Sequence, residues 1–289
     1  MRARYLIDRS SRTLLLVCAF LTLVVLAAIA VYTFMFALPA IREVGVWHFL
    51  FGKVWRPEDG RYGILPMIVG SVVVTAGALI LAVPLGIGCA ILLAEVAPHR
   101  IRQFLRPAVE LLVGIPSVVY GLVGVVIVVP LIRRIDGPGL SVAAGIIVLT
   151  VMILPTIVSI SEDSIRAVPK SHREGALALG ATHWQTIWRV LLPAARSGIV
   201  ASVVLGMGRA MGEAMAMIMV LGNARVIPTS LFGPASTLAG RIAAEAPEAS
   251  GTPRSALFAM SVVLFLLIII INGVALIIMR RGNRAQGVS

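Results

Sequence analysis

At 289 residues, 59% of them hydrophobic and with a mean hydropathy of +1.00, the chain is more apolar than a soluble domain, where about half of the residues are apolar. Apolar runs of about 20 residues recur along its length, and each suffices to cross a hydrocarbon core of roughly 30 Å. The formal net charge of +12 would suit a nucleic-acid partner, but the placement of the charges, taken up below, argues against one.

In chain order the hydropathy predicts six spans, at 14–38, 67–94, 108–132, 142–160, 197–222 and 257–279. Arg2, Arg4, Arg9 and Arg12 precede the first, as they would a signal peptide. Its apolar run exceeds the 7–15 residues of an h-region, so it reads as a membrane anchor. The segment 39–66 that follows carries Trp47, Trp55 and Tyr62, residues suited to a membrane interface. Pro84 lies inside the second span, and Gly114 with Pro116 inside the third. A proline removes a backbone hydrogen bond and kinks a helix, so both positions are candidate kinks or gates, and the Gly114–Pro116 pair should break or bend its span. A tight turn, IDGPG at Ile135–Gly139, leads into the short fourth span.

The connection to the fifth span reads SEDSIRAVPKSHREGALALGATHWQTIWRVLLPAARSGI. Pro169 precedes strong helix formers, Gly180 is a stop signal, and Thr182 is an N-cap for a second helix. Trp184, Ile187, Trp188 and Leu191 fall on one face at helical spacing, and Leu192–Pro193 end the helix. The result is an amphipathic helix-turn-helix at the membrane surface, which from physics alone could be a linker resting on lipid. The segment 223–256 contains a helix-like stretch from Ser236 to Ala246. A re-entrant element, a partner-docking element and a solvated loop fit it equally.

Fifteen of the 25 Lys and Arg residues fall in segments on the side of the N-terminus and nine on the other, with Arg209 inside a span. Arg133 and Arg134 run against the trend. This bias satisfies the positive-inside rule with both termini cytoplasmic, so the basic charge reads as topology.

Arg209 and Glu213 sit within GMGRAMGEAMAM, from Gly206 to Met217. Counting from Gly198, Arg209 lies about 16 Å deep, near the middle of the bilayer. A lone charge there costs from about 3 to above 10 kcal/mol. Glu213, one turn on, is expected on the same face, where its carboxylate compensates the guanidinium. An ion pair that only locks helices is the structural alternative, although buried pairs stabilise less than apolar packing. The guanidinium fork also suits a tetrahedral oxyanion. Gly208 and Gly212 form one small face, for which close helix packing is the default.

Nothing suggests covalent chemistry. Cys18 and Cys89 fall within spans, and His48, His99, His172 and His183 are scattered through loops. That pattern supports no metal site and no cofactor, and neither a Walker A loop nor a nucleophile elbow occurs. The chain therefore reads as a transport subunit with no catalytic residues.

Glu174-Gly175-Ala176, three residues, Gly180, nine residues, Val190, one residue and Leu192-Pro193 resemble the EAA loop of bacterial ABC importer permeases at every spacing. Gly175 replaces Ala and Val190 replaces Ile, both conservatively. The stretches Tyr62–Val72, Val83–Glu95, Val109–Val125 and Gly208–Asn223 resemble, in order, the phosphate-specific branch of that family, the PstC-like permeases. The resemblance implies a type I ABC importer permease fold in the bacterial inner membrane. It implies coupling helices at 174–193 that fit a partner ATPase, and transport roles for Arg209 and Glu213. The expected partners are a PstA-like sister permease, a PstB-like ATPase dimer carrying ATP and Mg, and a PstS-like phosphate-binding protein. Permeases for sulfate, molybdate or phosphonate are alternatives within the class. A stand-alone secondary carrier is an alternative outside it, but carriers show internal repeats, and none is visible. The expected organisation is 1–62 for the N-terminal tail, first span and outer segment, 63–281 for a five-helix permease core with its coupling loop at 161–196, and 282–289 for a tail.

Overall fold

The computed structural model describes the backbone of residues 2–284 and the side chains of residues 12–274 and of Ile277. Positions 285–289 of the expected C-terminal tail lie outside the described residues, as do the side chains of Arg2, Arg4 and Arg9. The chain opens with α1 (Arg2–Val44) and a short α2 (Val46–Phe51). A small antiparallel hairpin follows, β1 (Trp55–Arg56) and β2 (Arg61–Tyr62), with Trp55 opposite Tyr62. Next come α3 (Leu65–Ile91), prolonged by a π-helical turn Leu92–Val96, and α4 (His99–Gly114). Then α5 (Ser117–Val123) and α6 (Val129–Arg133) flank a second π-helical turn, Gly124–Val128. Gly137 and Gly139, at φ +73° and +86°, form the expected tight turn into α7 (Val142–Arg166).

The second half holds α8 (Lys170–Ala178) and α9 (His183–Thr186), a third π-helical turn Ile187–Leu191, and α10 (Leu192–Ala194). It continues through α11 (Arg196–Gly212), α12 (Met215–Val220) and α13 (Leu238–Glu245) to α14 (Gly251–Arg284). Among the described residues four helices are long and apolar enough to span a membrane, at Arg12–Val44, Leu65–Val96, Val142–Arg166 and Gly251–Val274. Two further candidates are bent pairs: His99–Gly114 with Ser117–Arg133 through 100°, and His183–Ala194 with Arg196–Gly212 through 68°. Counting each pair once gives six spans, the number read from the sequence.

The third span differs from its predicted 108–132. Residues up to Gly114 lie beyond the 100° bend, in a helix of their own, and only Ser117–Arg133 runs on as one arm. The break is the one expected at Gly114–Pro116, because proline pushes the preceding residue out of the helical region. Ile115 is extended, at φ −70° and ψ 128°. At Pro84, in contrast, α3 continues without interruption to Ile91.

Helix α7 packs against both α3 and α11, which also touch each other. Its Met152, Ile153 and Ile157 are fully buried in the main core, with Ala78 of α3, Ala210 of α11 and Met217 of α12. The Ser161 and Ser202 hydroxyls meet at 2.8 Å between α7 and α11, and Ser202 also donates to the Ile199 carbonyl, so neither is orphaned. A second core gathers Phe49, Trp55, Tyr62 and Met67 with Leu238 and Met260, tying α1, the hairpin, α13 and α14 together. Outside these cores the spans present apolar side chains such as Leu23, Leu26, Ile80, Leu85 and Ile270, as a lipid-facing surface requires.

The close helix contact expected at Gly208 and Gly212 forms elsewhere. A Cβ on Gly212 would meet nothing within 4 Å, and one on Gly208 only the Asn272 amide at 3.9 Å. The close approach of α11 to α7 falls at Gly198 and Gly206, where added methyl groups would press on Ser164 and on Ile157. Gly206→Leu is therefore expected to destabilise the detergent-solubilised protein by about 1–3 kcal/mol through overpacking, while Gly212→Ala leaves its thermal midpoint unchanged. Equal midpoints for the two variants would mean that α7 and α11 lie further apart than described.

Candidate functional site

The motif loop is built by local rules. Pro169 precedes α8, and the helix closes in a Schellman arrangement, with Ala181 N donating to the Ala176 carbonyl (3.1 Å) and Gly180 N to Leu177 (3.0 Å). Gly180 stands at φ +84°, the left-handed conformation that its role as a stop requires. Thr182 caps α9 in a full capping box: Gln185 N donates to Thr182 Oγ1 at 3.2 Å, and Thr182 N donates to Gln185 Oε1 at 2.9 Å. The motif side chains stand largely free. Glu174 and Gly175 are exposed, and Ala176, Val190 and Leu192 are half-buried. Glu174 makes no ion pair among the described residues, and Leu179 is 91% exposed.

The apolar face expected at Trp184, Ile187, Trp188 and Leu191 is split. The π-helical turn carries Ile187 and Leu191 into a third core with Ile91 and Ile165, while the indoles of Trp184 and Trp188 stay outside, edge to face at 6.0 Å. A π turn takes an extra residue per turn, which rotates the face that a 3.6-residue period predicts.

An ionic cluster, which the sequence reading did not pick out, joins this loop to the ends of the spans. Arg173 of α8 pairs with Glu95, which is buried in the π turn after α3. Arg102 of α4 donates to the carbonyls of Leu93 (2.7 Å) and Ala94 (3.1 Å), and Arg166 of α7 reaches Leu93 as well. Arg106 meets Glu110 (3.1 Å) and Asp163 (3.2 Å), and approaches Glu162 at 3.7 Å. Glu110 first, then Glu162, raise the Arg106 pKa above its ordinary value. Arg166 Nη2 lies 2.7 Å from Glu162 Oε1, an ion pair by distance in which no aligned hydrogen bond reaches that oxygen. The signal in the sequence was Glu162 and Arg166 at helical spacing, together with apolar residues 101, 104, 105, 108, 111 and 112 marking α4 as amphipathic.

The two charges of the fifth span are not paired. Helix α11 ends at Gly212, and Glu213 turns extended (φ −71°, ψ 117°), so the one-turn spacing of a continuous helix is lost and no ion pair with Arg209 forms. Glu213 Oε1 instead accepts from Ala216 N at 3.2 Å, at the start of α12. Arg209 Nη1 has one long hydrogen bond, 3.4 Å to Thr156 Oγ1 of α7. A guanidinium carries five donors, so most of this fork is unused among the described residues. The half-buried arginine and carboxylate thus flank a helix break in the middle of the bundle, a setting that can meet an anion and then release it. Among the described residues no group of His, Cys, Asp and Glu has metal-site geometry.

Comparison with known proteins places these features. The family of binding-protein-dependent transport system inner membrane components matches residues 82–284. "Probable ABC transporter permease protein YqgH" of Bacillus subtilis is 47% identical over 241 residues, covering 81% of this chain and 78% of that protein. The phosphate transport system permease protein PstC of Mesorhizobium japonicum is 37% identical, covering 93% of this chain and 89% of its own. That of Pasteurella multocida is 36% identical, covering 83% and 81%. Among solved structures, an inward-facing form of the MetNI methionine ABC transporter superposes with a TM-score of 0.61 at 21% identity, over 79% of this chain and 99% of the other. An amino acid ABC transporter with histidines gives 0.53 at 17%, over 74% and 92%. At these identities the structural likeness speaks for the fold.

The Glu95–Arg173 pair is the ionic tie between α8 and α3. Removing one partner of a buried pair costs about 3–5 kcal/mol, and the partial exposure of Arg173 lowers the expectation for Glu95→Gln to about 1–3 kcal/mol. Amide hydrogen exchange across Lys170–Ala178 should then rise about tenfold or more in that variant, with exchange in α7 unchanged. Unaltered exchange in α8 would show that the ion pair does not hold it.

Proposed function

The chain belongs to the binding-protein-dependent transport system inner membrane components, and on that premise we propose that it is the phosphate-conducting permease subunit of an ATP-driven importer. As an ABC transporter permease it is a multi-pass protein of the bacterial inner membrane and a transport subunit, not an enzyme. It forms half of a translocation pathway beside a PstA-like sister permease. ATP and Mg act on a PstB-like ATPase dimer, and a PstS-like protein delivers phosphate from outside. The 36–37% identity to two phosphate permeases over more than four-fifths of the chain supports this substrate over sulfate, molybdate or phosphonate.

The observation that carries the reading is Arg209, a guanidinium on a membrane-spanning helix with a single long hydrogen bond among the described residues. An arginine left so free in a low-dielectric site is costly unless it meets an anion in use. Its fork matches two oxygens of a tetrahedral oxyanion. Glu213, held at the foot of α12, repels the same anion and keeps the encounter brief. Glu174, Gly175, Ala176 and Gly180, with Val190, Leu192 and Pro193, form the coupling surface for the ATPase. Exposed Leu179, Trp184 and Trp188 supply apolar contact area there. On this reading the motif loop and both termini are cytoplasmic. Gly114–Pro116 is the flexible joint of the pathway, and Pro84 a static bend.

Arg209→Gln should lower radiolabelled phosphate uptake by about 10–100-fold, the loss of one or two charge-assisted hydrogen bonds, while the complex assembles in normal yield. Glu213→Gln, which retains an acceptor for Ala216 N, should also slow uptake with assembly intact. Loss of assembly together with uptake would assign both side chains to helix locking. Excess sulfate or molybdate should not compete, and competition by either would change the substrate. Separately, Gly180→Val puts a β-branched side chain at a positive φ, at a cost of about 1–2 kcal/mol. It should leave the chain in the membrane but abolish co-purification of the ATPase, and normal ATPase recruitment would remove the coupling role.

A further inference from the structure

At the end of the molecule that carries the hairpin, a cavity of about 400 Å³ opens between Lys53, Val54, Trp55 and Arg56 on one side and Asn223, Arg225 and Val226 on the other. Its lining contains three cations and no carboxylate. Lys53 makes no ion pair among the described residues, and Arg56 reaches only Asp59, at 3.8 Å with both side chains exposed. Arg225 is shared between Glu245 (3.0 Å) and Glu58 (3.4 Å). At roughly 30 Å³ per liquid water, the space holds an oxyanion with several waters.

The wall behind the cavity is fixed by one carboxylate. Glu245 of α13 accepts from the indole of Trp55 at 2.9 Å through one oxygen, and from Arg225 and Arg241 at 3.0 Å through the other. Arg241 is 5% exposed, and burial lowers its pKa against the pull of Glu245. Its Nη2 holds the Asn223 carbonyl at 2.6 Å, and its buried Nε has no partner. Asn223, at φ +53°, donates back to the Ile218 carbonyl at 2.9 Å. Asn223, which lines the cavity, thus lies three residues past the end of α12, and α12 begins beside Glu213. The eleven residues from Glu213 to Asn223 are the whole interval between this cavity and the Arg209 break.

We propose that Lys53, Arg56 and Arg225 form an oxyanion-receiving site at the outer mouth, from which the anion passes along α12 to Arg209. The inference rests on the phosphate reading above. The cations raise the local anion concentration in a cleft with low-dielectric walls, within a Debye length of about 8 Å. Glu245 is the positioning residue. The same oxyanion chemistry could be met by a lipid headgroup or by free phosphate, and we commit to free phosphate.

The test uses the complete transporter in vesicles of phosphatidylcholine alone and of phosphatidylcholine with phosphatidylglycerol, supplied with radiolabelled inorganic phosphate on its binding protein. In both lipids, uptake at limiting phosphate should fall about tenfold in the Lys53→Gln/Arg56→Gln double variant, equivalent to roughly 1.4 kcal/mol. Co-sedimentation of the binding protein with the vesicles should stay as in the parent. Equilibrium binding of inorganic phosphate, without the binding protein, should persist in Arg209→Gln and be lost when the double substitution is added. Unchanged uptake, an effect confined to the anionic lipid, or loss of binding-protein association would each overturn the proposal. A parent transporter that takes up no phosphate would remove the substrate reading and this one with it, whereas a working parent beside an unaffected double variant removes this one alone.

Discussion

A helix that stops inside or at the edge of a membrane leaves carbonyls and amides without partners, and in oil each such group costs several kcal/mol. This molecule stops its helices often, and every functional feature lies where a stop has been made tolerable. At the end of α3 the carbonyls of Leu93 and Ala94 are taken by Arg102 and Arg166. At the start of α12 the Ala216 amide is taken by Glu213. At its far end the Ile218 carbonyl is taken by the Asn223 side-chain amide and the Val220 carbonyl by the Ser141 amide. A few charged side chains of a very apolar chain, Arg102, Arg166 and Glu213, thus close its helix ends.

That constraint explains why charge and irregular backbone coincide. Arg102 and Arg166 cap α3 from two different helices, so the end of α3, the amphipathic α4 and the end of α7 become one unit. Glu95, carried in the π-helical turn after Ile91 with its side chain buried, takes Arg173. Glu213 caps α12 through one oxygen, and the break after Gly212 takes its carboxylate off the helical spacing that would bring it to Arg209. Among the described residues Arg209 keeps one long hydrogen bond, to Thr156.

Elements that follow from local rules were legible in the sequence. Gly180 at positive φ, the Thr182–Gln185 box, the Gly137–Gly139 turn and the break at Pro116 each depend on a few adjacent residues with strong conformational preferences. So did the number of spans, which hydropathy sets. What was not legible depended on helix continuity. The Arg209–Glu213 pairing assumed a helix through Gly212, and residues 108–114 were assigned to the third span because a hydropathy window does not register a 100° turn. The face of Trp184 to Leu191 was lost to a π turn that no residue announces. In the ionic cluster, Glu95 and Arg173 are 78 positions apart, beyond any spacing rule.

The 68° angle at Ala195 gives the loop and the fifth span the shape of a bell crank. The short arm is the α9–α10 segment, and the long arm is α11, with Arg209 fourteen positions beyond the corner. At 1.5 Å per residue that radius is about 21 Å, so a rotation of about 5° about Ala195 carries the Arg209 Cα by roughly 2 Å. A displacement of that size is enough to make or break a hydrogen bond to a bound oxygen. A small push on the exposed indoles would therefore arrive at the middle of the bilayer as a change in the donors offered there, with no unfolding of the helix between.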